Sequence, residues 1–236
     1  MIFSNKKVHD VNIKIINTVI NKCKVNKFLG LFIDDNLNFK SHIDHIATKC
    51  SKIVGILYNI KDFVPLAILN IIYKTLIYPN LLYAIELWGS APTVHINKIC
   101  FIQKKAIRLI NGADYFAHTG PLFKENNLMN VKSIHKYSLL INIYKIIKNN
   151  FIPSILSKIH NTIVNHQHNT RLNETNYNFI RPIFYRLSSG QSSFLYQSIH
   201  FWNLLPNEIK SINRFTTYKF KLKKHILNNQ NSRYNI

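Results

Sequence analysis

VNKFLGLFIDDNLNFKSHIDHIATKCSKIVGILY, residues 25–58, changes its hydrophobic period partway along, and that change decides the fold class. Up to Ile33 the apolar residues Val25, Phe28, Leu29, Leu31 and Ile33 read as extended chain. Asp34-Asp35-Asn36 closes this run with turn chemistry, because short Asx side chains bond nearby backbone and tolerate tight turns. From Ser41 onward Ile43, Ile46, Cys50, Ile53, Val54, Leu57 and Tyr58 recur at helical spacing, with Ser41 as the expected N-cap. Strands end before this junction and helices follow it.

Upstream, Val11, Ile13 and Ile15 alternate and Val19-Ile20 follow, so residues 11–33 read as three short strand runs. Downstream, a helix is expected from Pro65 through Ile68, Ile71, Ile72 and Leu76 until Pro79, which must kink or break it. Its continuation, Leu81 to Trp88, ends at Gly89. The next helix starts after Pro92, with Thr93 as a cap, and stops at Asn111-Gly112, a C-terminal signal. Gly120-Pro121 marks a loop, and Val131 to Ile147 is again amphipathic. Residues 151–192 are rich in Asn, Ser, Thr and His, and read as a connector with a strand near Phe179–Leu187. Helices follow at Phe194–Leu204 and Phe215–Leu227, with a turn at Pro206-Asn207. The whole reads as mainly α with a small N-terminal antiparallel β element, an α+β class.

Lys and Arg number 31 against 10 Asp and Glu in 236 residues, a formal net charge of +21. Such a chain repels itself unless a polyanion neutralises it, and nucleic acid is the commonest one, with anionic membrane second. The longest apolar stretch, Val64 to Trp88, is interrupted by Asn70, Lys74, Pro79, Asn80 and Glu86, so no membrane span is expected. Cys23, Cys50 and Cys100 are far apart and odd in number, which fits reduced thiols and an intracellular location, nuclear or cytoplasmic. His160, His166 and His168 lack nearby Cys and acid to complete a metal site, and read as solvated loop residues. No P-loop, Gly-x-Ser-x-Gly or His-Glu-x-x-His pattern occurs. Trp88 and Trp202 are expected in the core, and Glu86 beside a basic neighbour.

Thr93 to Ile110 carries the clearest functional signal. At 100° per residue Ile96, Ile99, Cys100, Ala106, Ile107 and Ile110 share an arc of about 120° that must face a core. Lys98, Phe101, Lys104, Lys105 and Arg108 share the opposite arc, a basic stripe with an aromatic set into it. The cations can follow phosphates and Phe101 can stack on a base or sugar; a merely solvated helix face is the plain alternative. Gln103 falls inside the apolar arc and needs a partner there, expected to be backbone. On the last helix Lys221 and Lys224 point away from the stripe of Phe215, Tyr218, Leu222 and Ile226, and are further candidate phosphate contacts.

Four segments in order resemble the C-terminal part of reverse transcriptases of non-LTR, jockey-like retrotransposons. Lys27-Phe28-Leu29-Gly30, with Leu31-Phe32-Ile33-Asp34 and Leu37-x-Phe39-x-x-His42-Ile43, is similar to that family's primer-grip motif and entry to the thumb. Pro79-Asn80-Leu81-Leu82-Tyr83-Ala84 with Trp88-Gly89 resembles its P-x-L-x-Y-[GA] and W-G. Gln103-Lys104-Lys105-Ala106-Ile107-Arg108 resembles its Q-[KR]-[KR]-A-[LI]-R helix. Phe201-Trp202-Asn203-Leu204-Leu205-Pro206 with Ile209 and the lysine-rich end resembles its W-N-x-L-P-x-x-I ending. Met1-Ile2-Phe3-Ser4 is similar to a segment preceding the primer grip, which suggests that Met1 is internal to a longer frame.

The resemblance implies a truncated RNA-directed DNA polymerase. Its parts would be a palm edge with primer-grip strands over 1–36, a helical thumb-like bundle over 37–150, and a connector with basic C-terminal helices over 151–236. Lys27, Phe28, Leu29 and Gly30 would place a primer end, and the partners would be an RNA template and DNA primer together with the missing fingers and palm. The complete family enzyme would use Mg²⁺, held by a [FY]-A-D-D turn that this sequence lacks. Phe32-Ile33-Asp34-Asp35 imitates that turn but directly follows the primer-grip motif, and only Asp10 precedes it as a third carboxylate. No catalytic residue, no metal ligand and no cofactor is therefore assigned to this chain, and it is expected to be inactive alone. The rival readings are a stand-alone basic nucleic-acid-binding module, a non-functional relic, and a helical protein lying on a membrane surface.

Overall fold

The computed structural model describes residues 13–15, 18–20, 23–149, 180 and 184–230. It is mainly helical, with two small antiparallel hairpins near its start. The first pairs β1 (Ile13–Ile15) with β2 (Thr18–Ile20), and the second pairs β3 (Val25–Phe28) with β4 (Leu31–Asp34). The run read as one strand over 25–33 is thus two strands. Leu29 (φ 47) and Gly30 (φ 82) form a two-residue turn whose consecutive positive φ values match the right-handed twist of the paired strands. Leu29 hid this turn, because a branched side chain rarely adopts that conformation.

The helices are α1 (Lys40–Ile60), α2 (Leu66–Ile72), α3 (Tyr78–Leu82), α4 (Ile85–Trp88), α5 (Thr93–Ile110), α6 (Thr119–Glu125) and α7 (Val131–Asn149). After residue 184 come α8 (Ser188–Gln191), α9 (Phe194–Asn203), α10 (Asn207–Lys210) and α11 (Phe215–Asn229). The described residues fall into two compact units, one within Met1–Ala84 and Ala91–Ala117, the other within Ile85–Ser90 and His118–Ile236. This division runs near residues 84–91 and 117.

In the first unit α1 and α5 pack together over Ile43, Ile46, Cys50, Val54 and Leu57 on one side and Ile96, Ile99, Ala106, Ile107 and Ile110 on the other, all buried. The cap of α1 is not Ser41. The helix starts at Lys40 behind Phe39 (φ 54), and Asn38 Oδ1 accepts the Lys40 amide at 3.2 Å. Thr93 is likewise the first residue of α5, with Pro92 before it. Pro79 neither breaks nor ends its helix. A π-helical turn, Tyr73–Ile77, lies just upstream, and its wider backbone accommodates a ring that would clash with an α-helical carbonyl. The break comes later, at Ala84 (φ 50), the Gly-or-Ala position of the resemblance, so 81–88 is not one helix.

In the second unit α7 is central. Tyr144 stacks on Tyr218 at 3.9 Å between ring centroids, while at the other end Gln230 Oε1 accepts the Asn130 amide and its Nε2 donates to Leu128 O. Those contacts make α7 and α11 antiparallel. Gly120-Pro121 lies inside the first turn of α6 and not in a loop, where a missing N–H loses no helical bond. Trp88 and Trp202 are both fully buried, as expected. Gly89 carries no side chain for a packing reason: a Cβ there would lie 2.4 Å from the His135 ring and 2.5 Å from Ile85 O. Glu86 has no cationic partner among the described residues. Its carboxylate accepts from the Ser138 hydroxyl and from Asn142 Nδ2. His160, His166, His168 and residues 179 and 181–183 of the strand read near Phe179–Leu187 lie outside the described residues, and 184–187 is not strand.

Candidate nucleic-acid interface

The stripe on α5 is built from the buried face outward. Ile96, Ile99, Ala106, Ile107 and Ile110 fix the helix against its neighbours, with Cys100 half-buried at the edge. Gln103 is buried and donates through Nε2 to the Tyr73 hydroxyl at 2.9 Å. Burial pushes the Tyr73 phenol far above its ordinary range, so it stays protonated. With that face held, Lys98, Phe101, Lys104 and Lys105 are exposed on the other, Phe101 by 67%.

The five stripe residues are not equivalent. Arg108 is half-buried, and its Nε donates to Ala117 O at 2.9 Å, fastening the loop that leaves α5. Lys98 Nζ lies 2.6 Å from Asp44 Oδ1 on α1, and Lys40 Nζ lies 3.1 Å from Asp44 Oδ2. The hydrogen bond from Lys98 is the main cause that holds the Asp44 carboxyl below its ordinary range; burial opposes it, and the hydrogen bond from Lys40 adds to it. A phosphate reaching Lys98 must compete with this carboxylate. Lys104 and Lys105 enter no salt bridge among the described residues and are the readiest cations of the stripe.

The Lys27–Gly30 segment, expected from the resemblance to be a primer grip, forms the end of β3 and the turn of the β3–β4 hairpin. Lys27, Phe28, Leu29 and Gly30 are all exposed, Phe28 by 63% and Leu29 by 77%. Lys27 Nζ sits 5.5 Å from the centroid of Phe32. The Tyr83 hydroxyl donates to Leu29 O, and the Tyr83 ring also lies against Gly30. Two motifs read separately, K-F-L-G and P-N-L-L-Y, therefore meet in space. Sequence reasoning gave Tyr83 no role, and the tyrosine inside the second motif was the signal available.

Asp34 is a structural residue. It is buried at the strand end and its Oδ1 accepts the Asn38 amide at 2.9 Å, while Asp35 N donates to Lys24 O. These residues do not fit the Mg²⁺ of a polymerase, which needs several hard oxygen ligands facing one open point. Among the described residues no group of three or more His, Cys, Asp or Glu is placed to hold a metal ion.

In the second unit Lys221 and Lys224 are exposed on α11, opposite the buried Tyr218, Leu222 and Ile226. The W-N-x-L-P-x-x-I-K segment of that unit is internal glue. Asn203 exchanges two hydrogen bonds with the backbone of Ile180, at 3.1 and 2.7 Å, Leu205 and Ile209 are buried, and Lys210 is fully buried with Nζ 3.1 Å from Asn203 O. Burial lowers the Lys210 pKa. Among the described residues no helix is long and apolar enough to cross a membrane.

No family model and no solved structure matches the chain. Curated proteins do. The probable RNA-directed DNA polymerase from transposon X-element of Drosophila melanogaster is 33% identical over 116 residues, 48% of this chain and 13% of that protein. The RNA-directed DNA polymerase from mobile element jockey of Drosophila funebris is 34% identical over 97 residues, 39% of this chain and 10% of that protein. Its Drosophila melanogaster counterpart is 28% identical over 121 residues, 50% of this chain and 13% of that protein. The matched stretch is thus a small part of each relative, and over about half of its own residues this chain is related in sequence to the RNA-directed DNA polymerases of non-LTR mobile elements.

Proposed function

We propose that this chain is the thumb portion of a mobile-element reverse transcriptase, which grips an RNA–DNA template-primer by its backbone without carrying the catalytic carboxylates. The observation that carries the reading is the α5 stripe: Lys104, Lys105 and Phe101 stand exposed on a helix whose opposite face is locked by buried isoleucines and the Gln103–Tyr73 hydrogen bond. Rigidly held cations follow phosphates regardless of base, and an exposed ring stacks on any base or sugar. Backbone contacts of this kind position a duplex without reading its sequence. The exposed Leu29-Gly30 turn, held by Tyr83, would meet the primer end. No step of phosphoryl transfer is assigned to the chain.

The test is a salt titration with an RNA–DNA hybrid. Four phosphate contacts lower affinity about a hundredfold between 50 and 200 mM salt. Hybrids of unrelated sequence should bind equally, and primer extension with Mg²⁺ should yield no incorporation. Salt-independent binding, or none, rejects the grip; incorporation rejects the assignment of a non-catalytic part.

A further inference from the structure

In the second unit, α7, α9 and α11 bring together cations that the sequence separates by up to about ninety residues. Lys136 Nζ on α7 lies 5.2 Å from the ring centroid of Phe201 on α9. Phe201 is flanked by His200, 5.8 Å between centroids, and His200 is stacked on Tyr196. α11 packs antiparallel on α7, with Tyr218 against Tyr144 and Gln230 at Asn130, a register that sets His225 level with Lys136; burial, and then the nearby ammonium, lowers the His225 pKa. Lys221 lies one turn before His225 on the same face of α11, and Lys132 one turn before Lys136 on α7, both exposed.

Among the described residues no carboxylate forms a salt bridge with this group. The acidic residues described in the unit are Glu86, Glu125 and Glu208. Glu86 is occupied by Ser138 and Asn142, and no salt bridge is formed in this unit among the described residues. Lys136 is half-buried, and desolvation lowers its pKa. A half-buried ammonium loses hydration, and an anion entering beside it restores a favourable interaction, with the neutral His225 imidazole able to donate an N–H to it. The Phe201 ring offers a flat apolar wall beside the charge, as a sugar or base requires.

We propose that Lys136, His225 and Phe201 form a second anion site, which takes a backbone phosphate of single-stranded nucleic acid, with Lys221 and Lys132 at its ends. Single strand is favoured over duplex because the wall is a part-exposed ring face, and stacking on it needs an unpaired base. The inference rests on the nucleic-acid reading above only for the source of the phosphate.

The experiment uses the full chain and follows the His225 imidazole resonance, assigned with His225→Gln, during titration with inorganic phosphate and separately with a single-stranded oligonucleotide. Both should shift it, the oligonucleotide at much lower concentration. Lys136→Met keeps the stem over Phe201 and removes the charge. It should weaken oligonucleotide binding about tenfold and lower the salt slope by about one, while Lys104→Ala/Lys105→Ala leaves the His225 shift in place. A His225 resonance unmoved by either ligand, or moved by inorganic phosphate alone, overturns the proposal, as does Lys136→Met binding like the parent. Loss of the α5 effect with the Lys136 effect retained would reject only the thumb reading.

Discussion

Two lysine-bearing segments put their cations to opposite uses. On α5, Lys104 and Lys105 stand in solvent on a rigid helix, without a salt bridge among the described residues. In the 201–210 segment Lys210 is fully buried and closes a turn by donating to Asn203 O. Charge count does not separate the two. What separates them is whether the neighbouring carbonyls and apolar side chains enclose the ammonium or leave it to water. A buried lysine holds the fold, and an exposed one on a fixed scaffold is available to a partner.

The sharpest way to break the contrast is to remove Lys210. Lys210→Ala leaves a cavity and an unsatisfied Asn203 carbonyl, and should lower stability by about 3 kcal/mol in urea unfolding. Nucleic-acid affinity per folded molecule should not change; if it falls with stability intact, Lys210 belongs with Lys104 after all.

Acid should weaken both regions. Burial holds the imidazoles of His42 in the first unit and His135 in the second at a pKa of about 4, with the nearby His45 adding to the effect at His42 and Glu86 opposing it at His135. Between about 6.5 and 4 the unfolded chain binds protons that the folded chain refuses, so stability is complete above 6.5 and drains away as pH falls. From pH 7 to 5 each histidine should account for about 2 kcal/mol. Urea midpoints at the two pH values measure this, and His42→Gln should flatten the first unit's share.

Lys104→Ala/Lys105→Ala is the complementary experiment to Lys210→Ala. Hybrid affinity should drop about tenfold or more and the salt slope by about two, with the urea midpoint unmoved. Equal loss of stability would place these lysines in the fold. Tyr83→Phe should cost about 1 kcal/mol, the worth of one hydrogen bond, and speed amide exchange of Gly30 and Leu31 while exchange in α5 stays slow. The smallest effect is expected at Asp44→Asn. Exposed ion pairs contribute less than about 1 kcal/mol, so stability barely moves, but freeing Lys40 and Lys98 should raise hybrid affinity two- to threefold, about 0.5 kcal/mol. A decrease would mean that Asp44 positions these lysines and does not compete for them.

Much of this was legible in residue order. The period change at residue 41, the apolar arc of α5 and the burial of both tryptophans follow from side-chain spacing, which local backbone geometry maps directly onto faces. The legible part fails where backbone choices depend on remote partners. Leu29 and Ala84 hold positive φ values that their side chains disfavour, the first with Tyr83 bonded to its carbonyl. Pro79 stays helical behind a π turn that no propensity announces. Arg108 and Lys98 share the stripe with Lys104 by angle, yet Ala117 and Asp44 engage them first.

From its sequence alone this protein has its α+β class, its helical period, its cationic surplus and its kinship with mobile-element polymerases. The folded chain alone decides which cations remain for a partner, that Tyr83 meets the Leu29-Gly30 turn, and that Lys136 lies over the Phe201 ring. The physical reason is one of range. Period and propensity act over a few residues, whereas the fate of a charge depends on desolvation and on partners brought close by packing across dozens of residues.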